Sequence, residues 1–196
     1  MKLPDQVRCA IEDTEAGKFE AALLHACTGI DATSRRLFPN EKLVGVRYKD
    51  CLRHYYWLLE PMVGSGINLE ETRFTNIKLK GVTSPDFADV VYEVFRCHHA
   101  HGDEVPPEFE VVPTVGGWGS RWVLAEGRLH MPDRVVWALL ALAVLSRVNA
   151  GERSDGEYYM SLGDERFIIA QWWGREADFR PIAERYNTVR VKLEGL

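Results

Sequence analysis

The stretch Ser84-Pro85-Asp86-Phe87-Ala88-Asp89-Val90-Val91-Tyr92-Glu93-Val94-Phe95-Arg96-Cys97-His98-His99-Ala100-His101-Gly102-Asp103-Glu104 decides the reading of the fold. Ser84 suits an N-cap, Pro85 the first helical position, and Asp86 and Asp89 the positive end of a helix dipole. Phe87, Val90, Val91, Val94 and Phe95 follow at helical spacing and form one apolar face. Gly102 supplies the stop, and Pro106-Pro107 forbids continuation. The spacing predicts a helix with one side in a core.

Upstream the same pattern recurs. Residues 5–13 suit a short opening helix, and Asp13-Thr14 an N-cap for a longer one. Phe19, Ala22, Leu23, Ala26, Ile30 and Leu37 then trace a buried stripe that stops at Pro39-Asn40. A further helix is expected from about Lys42 to Leu59, ending at Pro61, and a short strand is possible over Thr75–Leu79. Downstream the texture changes. Phe109–Val112 is strand-like, and Trp122–Leu124 and Arg128–His130 suit a hairpin about Glu126-Gly127. An apolar helix opens at Pro132-Asp133 and runs to about Asn149. A second hairpin pairs Tyr158–Leu162 with Arg166–Trp172 across Gly163-Asp164. A helix over 176–186 and a strand over 189–193 follow. The expectation is a mainly α (α+β) single domain over 1–196. It comprises a bundle of four to five helices over about 14–150, with a β-hairpin and short-helix extension over about 151–196.

Bulk properties bound the function. Of 196 residues, 46% are hydrophobic and 27% charged, an ordinary globular balance that argues against disorder. The net charge of −5 argues against non-specific coating of nucleic acid, which needs many Lys and Arg, but not against a local basic site. Cys9, Cys27, Cys51 and Cys97 stand far apart without a C-x-x-C pair, and no secretory leader is visible, so a reducing, cytoplasmic setting is expected. The longest apolar run, Val135–Leu145, is too short to span a membrane, so no membrane partner is expected. No Gly-rich phosphate loop stands in strand–helix context. Trp118, Trp122, Trp172 and Trp173, with Arg121 and Arg175, suit base stacking or plain sheet packing. On a strand Trp172 and Trp173 would face opposite ways, exposing one of them.

Chemistry concentrates at Arg96–Glu104. His98 and His101 continue the stripe, while His99 and Arg96 point elsewhere. A histidine near neutral pKa moves protons, and a guanidinium grips two phosphate oxygens at once. RNA carries its own nucleophile in the 2′-hydroxyl, so such a site needs neither metal nor cofactor. Asp103 and Glu104 can orient His101 and raise its pKa, and Tyr92, one turn before Arg96, can approach a phosphate. Arg47 and His54, seven apart on one helical face, make a second arginine–histidine pair.

Arg96, four residues, then His101 at the end of a helix resembles the Arg-x4–6-His motif of HEPN-domain proteins; Arg47 and His54 match it too. The resemblance covers residues from about 14 to 150. It implies a helical bundle acting as a homodimer, in which Arg96 and His101 form a metal-independent endoribonuclease site. It further implies RNA as substrate and a toxin or phage-defence role with a cognate antitoxin. Cys97 stands where the family often has Asn, Asp or His. Residues five apart are about 140° apart on an ideal helix, so Arg96 and His101 meet only across a distorted end or a second subunit. Two alternatives stand beside this: a non-catalytic helical interaction module (antitoxin, adaptor or inactive HEPN relative), and a metal site using His98 and His101.

Overall fold

The computed structural model describes residues 1–64, 66–97, 105–114, 121–125, 127–187 and 189–193. Helices α1 (Leu3–Glu15) and α2 (Phe19–Leu37) form a hairpin about Gly17, whose φ of 72° suits a residue without Cβ. Asp13 and Thr14 therefore lie inside α1 and do not cap α2. The Thr14 hydroxyl donates to the Ala10 carbonyl at 2.6 Å, a bond within its own helix. On α2 the stripe Ala22, Leu23, Ala26, Cys27 and Ile30 is buried, as its spacing predicts.

The helix expected over 42–59 is two, α3 (Val44–His54) and α4 (Tyr56–Val63). The break is Tyr55, whose ring is wholly buried and whose hydroxyl bonds Ser146 Oγ and Glu176 Oε2, each at 2.7 Å. That anchor across the core lets α4 leave the axis of α3 and pack on the apolar helix. Pro61 lies within α4 instead of ending it.

Helix α5 (Phe87–Val90) runs on without interruption as a π-helical segment, Val91–Arg96. Its N-cap is Asp86, two residues after Ser84. The Asp86 carboxylate accepts from the Asp89 amide at 2.9 Å, and Asp89 accepts from the Asp86 amide at 3.2 Å. This reciprocal box satisfies two amides at once, which a serine before Pro85 does not do. The predicted apolar face, Phe87, Val90, Val91, Val94 and Phe95, is buried. No strand forms over Thr75–Leu79, where turns surround a single Leu79–Val82 bridge.

Strand β3 (Arg128–Pro132) pairs antiparallel with β2 (Val123–Ala125), the expected hairpin, and parallel with β1 (Phe109–Val112). Helix α6 (Arg134–Leu145) follows, and a 3-10 turn, Arg147–Asn149, ends it. All of α6 is buried except Arg134 and Trp137, and it packs on α1, α2 and α4. Each buried Leu or Val there contributes roughly 1.5–3 kcal/mol relative to exposure. The buried apolar side chains form one contiguous cluster reaching from Leu3 to Ala183.

The last hairpin is β4 (Tyr159–Leu162) with β5 (Glu165–Ile168), followed by a helical turn, α7 (Ile169–Trp172), and α8 (Glu176–Tyr186). Because the strand stops at Ile168, Trp172 and Trp173 do not alternate across a sheet. Trp173 is buried and its indole donates to Ser154 Oγ, while Trp172 lies edge-on to Phe167 beneath the Arg175 guanidinium. The strand expected over 189–193 is a single parallel bridge between Val191 and Ile67. The architecture is mainly α with small sheets. Among the described residues no helix is long and apolar enough to cross a membrane, and all four cysteines are free.

Candidate functional site: an arginine pair on one carboxylate

Asp31 lies on the rim of the buried stripe of α2, one turn after Cys27. Helix α3 and the π-helical segment pack against α2 there, and each brings an arginine to it. Arg47 Nη2 donates to Asp31 Oδ1 and Arg96 Nη2 donates to Asp31 Oδ2, both at 3.4 Å. These are long, single-nitrogen contacts, far from the two-pronged arginine–carboxylate pairing at 2.7–2.9 Å. The Arg47 side chain is only 9% exposed, and its Nε has no hydrogen-bond partner among the described residues. A buried guanidinium with donors to spare is costly unless an anion completes it.

Aromatic rings and thiols back the pair. The Arg96 guanidinium stands 5.5 Å from the Tyr92 ring centroid, and the Tyr48 ring lies 5.3 Å from that of Tyr92. Gly45 makes this approach possible, since a Cβ there would sit 3.1 Å from the Tyr92 ring and hydroxyl. Burial works against the Arg96 charge, but Asp31 outweighs it, so its pKa rises and it stays a cation. Burial raises the Tyr92 phenol, and Cys97 raises it further while Arg96 opposes. Tyr48 is pushed well above its ordinary value by burial, and the Cys27 thiol beside it to about 12. Neither group ionises near neutrality, so the fixed charges at the cluster are Asp31, Arg47 and Arg96.

A second set of charges locks the frame. Arg53 holds Asp86 through Nε at 2.8 Å and Nη2 at 3.2 Å, and also reaches Asp89 at 3.2 Å. Lys49 pairs with Asp89 at 3.2 Å and Glu93 at 3.6 Å. One face of α3 is thus pinned to the first turns of α5 and the π-helical segment. Arg35, one turn beyond Asp31 on α2, is exposed and makes no ion pair among the described residues.

Of the sequence candidates, Arg96, Tyr92 and Arg47 come together here. His54 does not join them; it is exposed at the end of α3, edge-on to Tyr55 at 4.8 Å between centroids. Arg47 and His54 share α3, but Arg47 is buried in the contact with α2 while His54, the last residue of the helix, is exposed. His98, His99, His101, Asp103 and Glu104 lie outside the described residues, as do Trp118 and Glu126. Sequence reasoning missed Asp31, the centre of the cluster. Its one signal was an acid placed directly after Ile30, on the edge of an otherwise apolar stripe. Among the described residues no three His, Cys, Asp or Glu side chains gather as a metal-binding set.

The larger clefts lie elsewhere. One of about 560 Å³ is lined by Glu15, Asp133, Arg134, Trp137, Glu157 and Tyr158, among others. Another of about 570 Å³ lies between the start of α2 and β1. Neither includes Arg47, Asp31 or Arg96. Solvent reaches the cluster through Arg96 and Asp31, whose side chains are 23% and 21% exposed, while Arg47 is buried.

A mainly helical frame carrying two arginines on one shared carboxylate defines the class at the level of fold and site. By comparison of sequences the chain belongs to the Rv1289 family, which it matches over residues 2–195. It is 34% identical over 195 residues to the uncharacterized protein Rv1289 of Mycobacterium tuberculosis, spanning 98% of this chain and 91% of that protein. The same figures hold for the uncharacterized protein Mb1320 of Mycobacterium bovis. No solved structure matches it.

Proposed function

We propose that the Arg47–Asp31–Arg96 cluster is the phosphate-gripping part of a metal-independent, HEPN-like endoribonuclease site, with His101 as general acid or base. The observation that carries this reading is the convergence of Arg47 and Arg96. Both arginines picked out by the arginine–histidine spacing, on different helices, meet on Asp31, and the buried Arg47 Nε has no partner among the described residues. A phosphodiester group supplies the kind of oxygens that a pair of guanidinium groups binds.

In the proposed reaction the 2′-hydroxyl of RNA attacks the adjacent phosphorus. The O2′–P bond forms, the P–O5′ bond breaks, one proton leaves the 2′-hydroxyl and another reaches the departing 5′-oxygen. Arg96 and Arg47 stabilise the charge that gathers on the non-bridging oxygens, a role in which fixed donors act best. Tyr92 holds the Arg96 guanidinium in place. His98 and His99 stand near enough in sequence to share the proton traffic, with Asp103 and Glu104 as orienting acids. The π-helical segment fits this reading, because such segments recur at functional sites and alter the angular relation of Arg96 to residues beyond it.

We further propose that the active form is a homodimer. Leu43, the N-cap of α3, and Val46, 66% and 39% exposed, stand within a turn of Arg47 and offer an apolar rim for a second copy. A toxin or phage-defence role, held in check by a cognate antitoxin or other partner protein, belongs to the same reading.

The test is RNA cleavage in EDTA by the wild type, Arg96→Ala, Arg47→Ala and His101→Ala, each checked for folding and oligomeric state. Cleavage lost in all three variants with the fold intact supports the reading. Cleavage that survives all three, or is absent from the wild type on every RNA, removes it in favour of a non-catalytic interaction module.

A further inference from the structure

We infer that Asp31 sets the charge class of the ligand, matching the arginine pair to a singly charged phosphodiester and against a doubly charged terminal phosphate. The inference rests on the phosphate-gripping reading above, but not on cleavage. Arg47 and Arg96 carry two positive charges, and Asp31, 3.4 Å from each, cancels one. Lys49 adds none, being held by both Asp89 and Glu93. The cluster therefore presents a single net positive charge.

Attraction between a site and an anion grows in proportion to the anion's charge, whereas the cost of removing the anion from water grows as its square. A site of one net charge suits one negative charge, and a site of two suits two. Asp31 also repels a dianion twice as strongly as a monoanion at the same place. An internal phosphodiester carries one negative charge, and a terminal phosphate carries nearly two at neutral pH. Asp31 thus favours the interior of a polynucleotide over its phosphorylated end.

Asp31 is placed for this role and not for strong structural pairing. Its side chain is 21% exposed, its two contacts are long, and the nine-tenths-buried Arg47 keeps an unpartnered Nε beside it. An acid present only to lock the helices would be gripped two-pronged, as Arg53 grips Asp86.

The experiment is an NMR titration of full-length protein with two probes that differ in one charge, thymidine 3′-monophosphate and its 3′-methyl diester. Neither has a 2′-hydroxyl, so neither is cleaved. Wild type binds the diester at least as tightly as the monophosphate. In Asp31→Asn the diester gains about five-fold and the monophosphate about twenty-five-fold, the doubled effect expected of a dianion, since one unit charge at about 4 Å is worth roughly a factor of five even in water. Equal gains or equal losses for both probes in Asp31→Asn overturn the inference and leave Asp31 a positioning residue. If Asp31→Asn does not fold, the wild-type order decides, and a monophosphate bound more than ten-fold tighter than the diester overturns it. Failure of both probes to bind the wild type overturns it together with the phosphate-gripping reading. Charge-ordered binding without RNA cleavage removes the ribonuclease reading alone.

Discussion

Arg47 and Arg96 donate to opposite oxygens of the same carboxylate, Asp31, each at 3.4 Å and each through one nitrogen. Arg47 is the more deeply buried, yet it has the poorer surroundings, with Nε left without a partner among the described residues. Fold stability alone does not select such an arrangement, because a buried, half-satisfied guanidinium costs more than an apolar side chain of similar length.

That asymmetry gives a prediction with opposite signs for stability and function. Arg47→Met keeps the stem and removes the charge, leaving Asp31 paired with Arg96. Thermal or urea unfolding should show no loss, or a gain of up to about 1 kcal/mol. Binding of a phosphate-bearing probe should fall at least about ten-fold. A large loss of stability with unchanged binding would make Arg47 a structural residue and sink the functional reading of the pair.

Much of the frame was legible in the sequence because periodicity reports burial. The stripe of α2, the apolar face of Phe87–Phe95, the buried helix after Pro132 and the helix Glu176–Tyr186 all follow from spacing. What was not legible depended on partners distant in the chain. The break at Tyr55 comes from Ser146 and Glu176. The shift of the cap from Ser84 to Asp86 comes from Asp89 and is reinforced by Arg53. The parallel pairing of β1 with β3 has no local signal. The site was half legible: Arg47, Tyr92 and Arg96 stood out by type and spacing. Asp31 is one acid on a helix rim, and only the packing of three elements gives it meaning.

Asp86 makes stability depend on pH at the acid end. Burial pushes its carboxyl up, but the Arg53 guanidinium and the Asp89 amide outweigh burial and hold it below the ordinary carboxylate value of 3.8. A depressed folded-state pKa contributes stability that is fully present above the unfolded value and is lost as pH falls through the folded one. Unfolding free energy should therefore hold from neutrality to about pH 4–5 and fall below it. In Asp86→Asn that acid-side slope should be shallower, while stability at pH 7 drops by about 1–3 kcal/mol as Arg53 loses its pair. Urea melts of both proteins at pH 3 and pH 7 decide this, and identical slopes would show that Asp86 is not the titrating group.

Glu60 fastens the end of the described chain to α4. Its carboxylate is fully buried and accepts from the Leu69 amide at 2.9 Å, Asn187 Nδ2 at 2.7 Å, and Arg190 through Nε at 3.0 Å and Nη2 at 2.8 Å. Removing Glu60 leaves the Leu69 amide and the Asn187 side chain without this acceptor, while the partly exposed Arg190 keeps Asn68 and Glu70, at a cost of about 2–4 kcal/mol. Glu60→Ala should be destabilised by that amount and cleaved by limited proteolysis beyond Tyr186. Amide exchange at Asn68 and Val191, bonded across this junction, should speed up first. Unchanged proteolysis would show that the segment is held without Glu60, by its backbone bonds to Gly66, Asn68 and Arg73 and by the Arg190 contacts to Asn68 and Glu70.

Gly45→Ala separates the position of Tyr92 from its presence. A Cβ at residue 45 meets the Tyr92 ring at 3.1 Å, tighter than ordinary contact, so one of the two must yield by a few tenths of an ångström. Gly45 is in the first turn of α3, where alanine gains up to about 1 kcal/mol of helix propensity over glycine. Tyr92 is only half-buried, so its ring can pivot away more cheaply than α3 can shift. Stability should therefore change by less than about 1 kcal/mol. The pivot carries the ring away from the Arg96 guanidinium that it faces at 5.5 Å, and a cation over an exposed ring is worth about 0.5–1 kcal/mol. Phosphate-probe affinity should drop about two- to five-fold, and Tyr92→Leu should show a similar loss. If Gly45→Ala binds as the wild type does while Tyr92→Leu is impaired, Tyr92 acts through its hydroxyl and not by holding Arg96.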